Sequence, residues 1–196
     1  MLSDGYHRVP SGRLAAVQTF LEMRAKPELR PGAGDRGWVL EPLESPDLRR
    51  YRALFHRVGD EHLWTLRLLL TDEELTELLR EPEYEVYVLA TTSGDEGLLE
   101  LDFRVAGECE IGLFGVGASL IGTGAGRWLM NRALDIAWSR PIERLWLHTC
   151  TLDHPNALEF YKRSGFEAYA RKVEIFPDPR SLGLTRRDAA PRVPIL

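Results

Sequence analysis

Glycines at every second position between residues 122 and 126 have the most suggestive spacing in this sequence. Gly122, Gly124 and Gly126 follow an apolar segment, 110–116, and precede a segment of helical periodicity. Residues without side chains let the backbone approach a ligand closely, and their N–H groups would lie at the positive end of the helix dipole. Such a strand–loop–helix segment can bind pyrophosphate without charged side chains.

Two common phosphate-binding motifs do not fit this spacing. A Walker loop requires a lysine after its last glycine, whereas Thr123 follows Gly122. The dinucleotide motif reads G-x-G-x-x-G early in a parallel β-α-β unit, whereas this loop reads G-x-G-x-G and follows strands that we expect to be antiparallel. From the loop alone, a glycine-rich turn without a ligand remains the alternative.

A second motif, about thirty residues further on, gives the loop its context. It reads Asp153-His-Pro-Asn-Ala-Leu-Glu-Phe-Tyr161-Lys-Arg-Ser-Gly-Phe166. Together the two segments resemble the GCN5-related N-acetyltransferase (GNAT) family. That family's pyrophosphate loop reads Arg/Gln-x-x-Gly-x-Gly/Ala, and its next helix reads Ala-hydrophobic-x-x-Tyr-x-x-x-Gly-Phe. The resemblance covers residues 37–176 and implies acetyl-CoA as co-substrate and an amine as acceptor.

The resemblance also implies which residues contact the acyl donor: Phe114, Val116, Ile121, Gly122, Thr123, Gly124, Ala125, Gly126, Arg127, His154 and Asn156. Two of them depart from the family pattern. Ile121 stands where a basic or amide residue is usual, and Arg127 is the candidate to replace that contact. His154 stands where asparagine is frequent, with Asn156 close by.

Acyl transfer to an amine requires a base, because a free lysine-type amine has a pKa near ~10.4. Glu110 is the first candidate, since strict alternation would place it on one strand face with Gly112, Phe114 and Val116. Glu100, set among the apolar residues of segment 98–102, is the second. A solvated strand face is the alternative for each glutamate.

The tetrahedral intermediate and the leaving thiolate require donors as well. The resemblance implies a backbone N–H near Phe114 to Val116 for the oxyanion, and Gly115 and Gly117 make a bulge plausible there. It also implies Tyr161 as the general acid, with a packed aromatic residue as the alternative. We predict direct transfer; a covalent intermediate on Cys150 is the rival mechanism.

The acceptor pocket is predicted to come from the helical segment 59–70 and the end of the strand predicted at 144–150. His62, Trp64 and Arg67 would share a helical face, and His148 would approach from the strand. Packing in the core or at the surface is the alternative for each of these side chains.

Hydrophobic periodicity predicts the elements that must position these groups. Strands are predicted at 14–23, 38–43, 84–90, 98–105, 108–116, 144–150 and 168–176. For the first of these segments a helix is the alternative, and Val17, Thr19 and Phe20 favour the strand. Helices are predicted at 47–59, 61–70, 72–80, 126–140 and 155–165, the third with a capping box at Thr71 and Glu74. The order indicates an α/β fold with a mixed sheet, and the resemblance implies a mostly antiparallel, twisted one flanked by helices.

Composition limits the remaining possibilities. The chain of 196 residues is 44% hydrophobic and 28% charged, which suits one domain. We expect an N-terminal extension (1–36), a core domain (37–176) and a surface-following C-terminal tail (177–196). The formal charge of −5 argues against nucleic-acid binding. The two isolated cysteines, Cys109 and Cys150, do not suggest a metal site or a disulfide framework.

Location and assembly are also predicted from the sequence. No apolar run approaches the roughly 18 residues that a membrane span requires, and residues 1–10 lack an apolar signal region. We therefore expect a cytoplasmic protein with no membrane partner. The exposed edges of the predicted sheet make a homodimer reasonable. A non-catalytic acyl-CoA-binding module is the alternative function.

Overall fold

A seven-stranded mixed sheet with helices on both faces is the framework of the described chain. The computed structural model describes residues 3–32, 34, 36–44 and 46–196. The strands are β1 (Arg13–Met23), β2 (Val39–Pro42), β3 (Tyr84–Thr91), β4 (Gly94–Asp102), β5 (Glu108–Val116), β6 (Arg144–Cys150) and β7 (Glu167–Pro177). The helices are α1 (Leu48–Gly59), α2 (Asp72–Arg80), α3 (Ala125–Ala137) and α4 (Ala157–Arg163). The predicted α/β class and mixed sheet are confirmed; residues 1, 2, 33 and 35 of the predicted extension lie outside the described residues.

The strand order is β2-β3-β4-β5-β6-β1-β7, so the N-terminal strand lies inside the sheet. β1 pairs with β6 on one side and with β7 on the other, both antiparallel. The pairing of β5 with β6 is parallel and extends only over Glu108–Glu110 and Arg144–Trp146. Past that point neither strand is paired with the other, and the sheet opens between them.

A bulge in β5 changes which side chains share a face of the sheet. Leu99 lies opposite Phe114, while Leu101 lies opposite Ile111, so Gly112 is one extra residue in β5. Ile111 and Phe114 therefore face the same side, toward α3. Glu110 faces the opposite side, toward α1. The prediction from strict alternation that Glu110 and Phe114 share a face is wrong, and the bulge lies at Gly112 rather than near Gly115.

The two faces of the sheet are covered by different helices. On one face, α3 buries an apolar stripe against β4, β5 and β6: Ala125, Leu129, Met130, Ala133, Leu134 and Ala137. On the other, α1 and α2 cover β3 and β4 with Tyr51, Leu54, Phe55, Val58 and Leu75. The predicted capping box of α2 is present, with Thr71 Oγ1 accepting from the Glu74 N–H at 3.1 Å and the Glu74 carboxylate accepting from the Thr71 N–H at 2.8 Å.

The segment 61–70 is not the predicted helix. A short 3-10 turn at Asp60–His62 is followed by turns, and Leu63 adopts a left-handed conformation with a φ of 55°. The chain reverses because Trp64 folds back over Gly59, where a Cβ atom would lie 2.7 Å from the indole. The apolar run is thereby divided: Leu63 is buried in the core, whereas Trp64 reaches the opening in the sheet.

The C-terminal tail is buried at residues 178–180 and 189–190, so the prediction that it follows the surface is wrong for these two segments. Asp178 and Arg180 form an ion pair at 2.8 Å with side chains 3% and 1% exposed. The Arg180 guanidinium also donates to the carbonyl oxygens of Ala189 at 3.0 Å and Val193 at 2.9 Å. One arginine thus folds the tail onto itself, beside Leu63.

Candidate active site

A cleft of about 870 Å³ lies where β5 and β6 separate. Phe114 and Tyr161 line it on the α3 side, and Trp64, Glu110 and His148 line it on the α1 side. Because these groups come from both faces of the sheet, the cleft runs through the sheet. A ligand in it could contact groups on both faces at once.

The glycine loop forms one end of the cleft. Along residues 121–126, backbone N–H groups that donate a hydrogen bond alternate with N–H groups that do not. The N–H groups of Ile121 and Thr123 bond to loop carbonyl oxygens, and that of Ala125 bonds to Thr123 Oγ1 at 3.3 Å. The N–H groups of Gly122, Gly124 and Gly126 have no hydrogen-bond partner among the described residues. The three alternating glycines thus supply three backbone N–H groups without a partner, in the loop and in the first turn of α3.

The conformation of the loop requires glycine and is anchored from β4. Gly122 and Gly124 have φ values of 79° and 95°, which side-chain-bearing residues rarely adopt. The N–H of Gly117 donates to the Glu96 carbonyl oxygen at 2.7 Å, and Ser119 Oγ donates to the Glu96 carboxylate at 2.8 Å. These bonds fix the approach of the chain to the loop.

Tyr161 projects from α4 into the cleft among aromatic rings. It is 8% exposed and lies edge-on to Phe114, Phe160 and Phe166. Within the described part of the chain its hydroxyl has no hydrogen-bond partner. Burial, and to a lesser degree the charge of Asp153, raise the pKa of Tyr161 above its usual value of 10.0. The phenol therefore stays protonated and can donate.

Glu110 is the carboxylate that lines the cleft on the α1 side. Burial raises its pKa from 4.5 to about 7; Asp102 adds to the rise, and Arg67 opposes it. Glu110 Oε1 lies 3.9 Å from His148 Nε2. A carboxylate that titrates near neutrality can both hold and release a proton under physiological conditions.

Comparison with known proteins identifies the family of this chain. A model of the acetyltransferase (GNAT) family matches residues 47–166, which is more than half of the chain. The chain belongs to the GNAT family. No curated protein sequence matches it significantly.

Solved structures share the GNAT fold at low sequence identity. A conserved protein of unknown function from Staphylococcus epidermidis superposes with a TM-score of 0.63 at 15% identity, over 85% of this chain and 63% of that one. A GCN5-related N-acetyltransferase from Sphaerobacter thermophilus gives 0.61 at 18%, over 88% and 53%. The ribosomal-protein-S18-alanine N-acetyltransferase from Escherichia coli gives 0.56 at 16%, over 72% and 94%. The chain thus spans less than two thirds of the first two proteins.

The structure places most of the predicted donor-contacting residues at the cleft of this GNAT fold. The following line it: Phe114, Val116, Ile121, Gly122, Gly126, His154 and Asn156. Thr123, Gly124 and Ala125 shape the loop behind it. Arg127 does not line the cleft; its guanidinium donates to Ser164 Oγ at 3.0 Å and lies over the Phe160 ring. It therefore does not replace the contact that Ile121 lacks.

Glu100, the second predicted base, is a structural anion instead. It is fully buried and does not line the cleft. Its carboxylate accepts from the hydroxyls of Tyr51 and Tyr84 and from Arg67 Nη2, the last at 3.0 Å. The sequence also predicts Arg67 at the acceptor pocket, but this buried pairing holds it away from the cleft.

His62 and Trp64 do line the cleft, held by the loop that follows β6. Trp64 Nε1 donates to Asp153 Oδ1 at 3.2 Å, and His62 Nδ1 bonds to the Leu152 carbonyl oxygen at 3.3 Å. No sequence pattern points to Asp153 as this anchor, because the contact joins residues 89 positions apart. Gln18 and Glu174 at the cleft are likewise missed by sequence reasoning, since their position depends on β1 and β7 being neighbours.

Cys150 lines the cleft as well, but its chemistry does not suit a nucleophile. Burial raises the pKa of its thiol from 9.0 to about 11. Its Sγ accepts the N–H of Leu152 at 3.4 Å. The thiol is therefore protonated at neutral pH, which favours direct transfer over an acetyl-cysteine intermediate.

Metal-ligand clusters and membrane-spanning helices were also sought in the part of the chain that the structure describes. Across residues 3–196, apart from 33, 35 and 45, no three histidine, cysteine or carboxylate side chains lie close enough to hold a metal ion. In the same residues no helix is long and apolar enough to cross a membrane.

Proposed function

We propose that this GNAT family member transfers an acetyl group directly from acetyl-CoA to a primary amine. The observation that carries the proposal is the cleft through the sheet, which joins the free N–H groups of Gly122 and Gly126 and the Tyr161 phenol to Glu110. A donor held on one face would thus present its acyl group to an amine held on the other.

The loop fits the pyrophosphate of acetyl-CoA. The N–H groups of Gly122, Gly124 and Gly126 would donate to its oxygens, helped by the positive end of the α3 dipole. Phe114 and Val116 offer apolar walls to the pantetheine arm. Family membership supports acetyl-CoA as the donor.

The open edge of β5 fits the oxyanion of the tetrahedral intermediate. Past Glu110, the side of β5 that faces away from β4 has no strand partner in the described chain. Backbone N–H groups near Phe114 to Val116 would therefore be available to the thioester oxygen as negative charge develops on it.

The protons can be followed from residue to residue. The acceptor arrives as an ammonium ion and gives one proton to the Glu110 carboxylate, so that the nitrogen lone pair attacks the thioester carbon. Collapse of the intermediate breaks the C–S bond, and Tyr161 donates its phenolic proton to the departing thiolate. The nitrogen loses a second proton and Tyr161 is reprotonated, so each turnover yields an amide, free CoA thiol and one proton.

A panel of primary amines tests this proposal. We expect release of free CoA thiol from acetyl-CoA that depends on the acceptor, together with acetylated product by mass spectrometry. Tight acetyl-CoA binding without acceptor-dependent release across the panel would instead indicate the non-catalytic acyl-CoA-binding module. The cytoplasmic location, the homodimer and the absence of a nucleic-acid partner stay predictions.

A further inference from the structure

A chain of hydrogen bonds from the last strand ends on the histidine that faces Glu110. Glu174 in β7 accepts from Gln18 Nε2 in β1 at 2.6 Å. Gln18 Oε1 lies 3.1 Å from His148 Nδ1 in β6. Gln18, in the middle of this chain, is only 7% exposed, whereas His148 and Glu174 at its two ends are exposed.

The chemistry of these groups fixes the direction of each bond. An ionised carboxylate only accepts hydrogen bonds, so the Gln18 amide must turn its NH₂ group toward Glu174. The amide oxygen of Gln18 then faces His148 and accepts a hydrogen bond from its Nδ1–H group. Neutral imidazole carries one N–H, so His148 Nε2 is left with a lone pair, and that nitrogen is the one 3.9 Å from Glu110 Oε1.

We propose that Gln18 and Glu174 are positioning residues that hold neutral His148 in its Nδ1–H form. His148 Nε2 and the Glu110 carboxylate then form a paired acceptor for the substrate's ammonium group. This inference rests on the proposed function for its substrate, but the state of His148 can be measured without any substrate.

The distance between the two acceptors suits a shared amine. At 3.9 Å, Nε2 and Oε1 are too far apart to bond to each other. An ammonium nitrogen about 2.8 Å from each could donate to both. One N–H bond breaks as an O–H bond forms on Glu110, while a second N–H stays hydrogen-bonded to His148 and keeps the nitrogen oriented toward the thioester.

The surroundings of His148 keep it neutral near pH 7. Burial lowers the pKa of His148 below its usual value of 6.5, and Lys172 in β7 acts in the same direction. Asp153, after β6, and Glu174 oppose this shift, and Glu110 in β5 also faces the ring. A neutral ring with one fixed proton is what an acceptor role requires.

The first test is the tautomer itself, measured by two-bond ¹H–¹⁵N correlation NMR on ¹⁵N-histidine-labelled protein without substrate. A His148→Gln variant assigns the signal among the five histidines. We expect the Nδ1–H form, opposite to the form that free imidazole side chains prefer. An Nε2–H ring, or a charged ring at pH 7.5, would overturn the inference whether or not acetyl transfer is ever detected.

The second test removes the fixed orientation of the Gln18 amide. Glu174→Gln lets the Gln18 amide turn either way, and Gln18→Met breaks the chain without changing charge. In both variants we expect mixed tautomers and a kcat/KM about tenfold lower, since only the correctly held fraction is competent. The pH profile of kcat/KM should also shift in Glu174→Gln, because a charge beside His148 is lost.

Glu167→Gln is the matched control, because it makes the same chemical change at an exposed position of the same strand. It should leave the tautomer and kcat/KM unchanged. Wild-type kcat/KM and pH profile in both Glu174→Gln and Gln18→Met would refute the positioning role. No transfer to any amine would refute the proposed function, while the NMR measurement would still decide the inference.

Discussion

At the scale of single residues, two strand carboxylates differ in role because their surroundings differ. Glu100 and Glu110 are both strand carboxylates, but three donors bind Glu100 in the core, whereas Glu110 lies at the cleft with a pKa raised to about 7. The sequence points to both glutamates, to Glu110 by alternation and to Glu100 by its apolar neighbours. It cannot separate them, because the partners Tyr51 and Arg67 come from distant segments.

Tyr161→Phe tests the general acid. We expect kcat to fall about a hundredfold, because the thiolate must then leave without a proton donor. The affinity for acetyl-CoA, measured by calorimetry, should change little, since the ring and its packing remain. Tyr6→Phe, at a fully exposed tyrosine, is the control. An unchanged kcat with chemistry shown to be rate-limiting would rule out this role.

The pH dependence of kcat/KM tests Glu110. Its folded pKa is raised to about 7, so the carboxylate that acts as base is present above that pH and is lost below it. Activity should therefore rise with pH through an inflection near 7. A profile that is already flat from pH 5 upward would contradict the assignment, because an ordinary glutamate would be ionised throughout.

At the scale of elements, small departures from regular structure build the site. The extra residue at Gly112 turns Glu110 to the α1 face of the sheet while Phe114 stays on the α3 face. The sequence predicts β5 and a glycine bulge, but strict alternation places both side chains on one face. The left-handed residue Leu63, after which Trp64 packs over Gly59, likewise lies in an apolar run that is compatible with a helix.

Gly122→Ala tests whether the glycine loop binds acetyl-CoA, and Gly183→Ala is the matched control. Both glycines have positive φ, 79° and 69°, and at neither position would an added Cβ atom have a neighbour within 4 Å. Each variant should lose about 1–2 kcal/mol of unfolding free energy from backbone strain. Only Gly122→Ala should weaken acetyl-CoA binding as well, by about tenfold, through displaced N–H donors. Equal affinities in the two variants would mean that the loop does not hold the donor.

At the scale of the whole molecule, β1 and β7, from opposite ends of the sequence, complete the lining of the cleft. β1 brings Gln18 beside His148, and Phe176 at the end of β7 lines the cleft just before the tail begins. The central elements and both family motifs are predictable because they depend on local periodicity and spacing. The placement of β1 and the C-terminal segment is not, because it depends on contacts such as that of Gln18 with Glu174, which are 156 positions apart.

Arg180→Met tests the structural role of the tail. The substitution leaves Asp178 charged and buried and removes donors from three carbonyl oxygens, so we expect a loss of about 3–5 kcal/mol in unfolding free energy. Denaturant titration measures this loss. Arg187→Met, at an exposed position of the same segment, should cost little. Equal stability of the two variants would show that the buried pair does not hold the tail.

The central claim is that Glu110 takes the proton of an amine that attacks acetyl-CoA across the sheet. Its most direct measurement is acceptor-dependent release of CoA thiol by the wild type, Glu110→Gln and the neighbouring control Glu108→Gln. We predict a loss of about a hundredfold or more in Glu110→Gln, with unchanged acetyl-CoA affinity and near wild-type activity in the control. Full activity in Glu110→Gln would contradict the account.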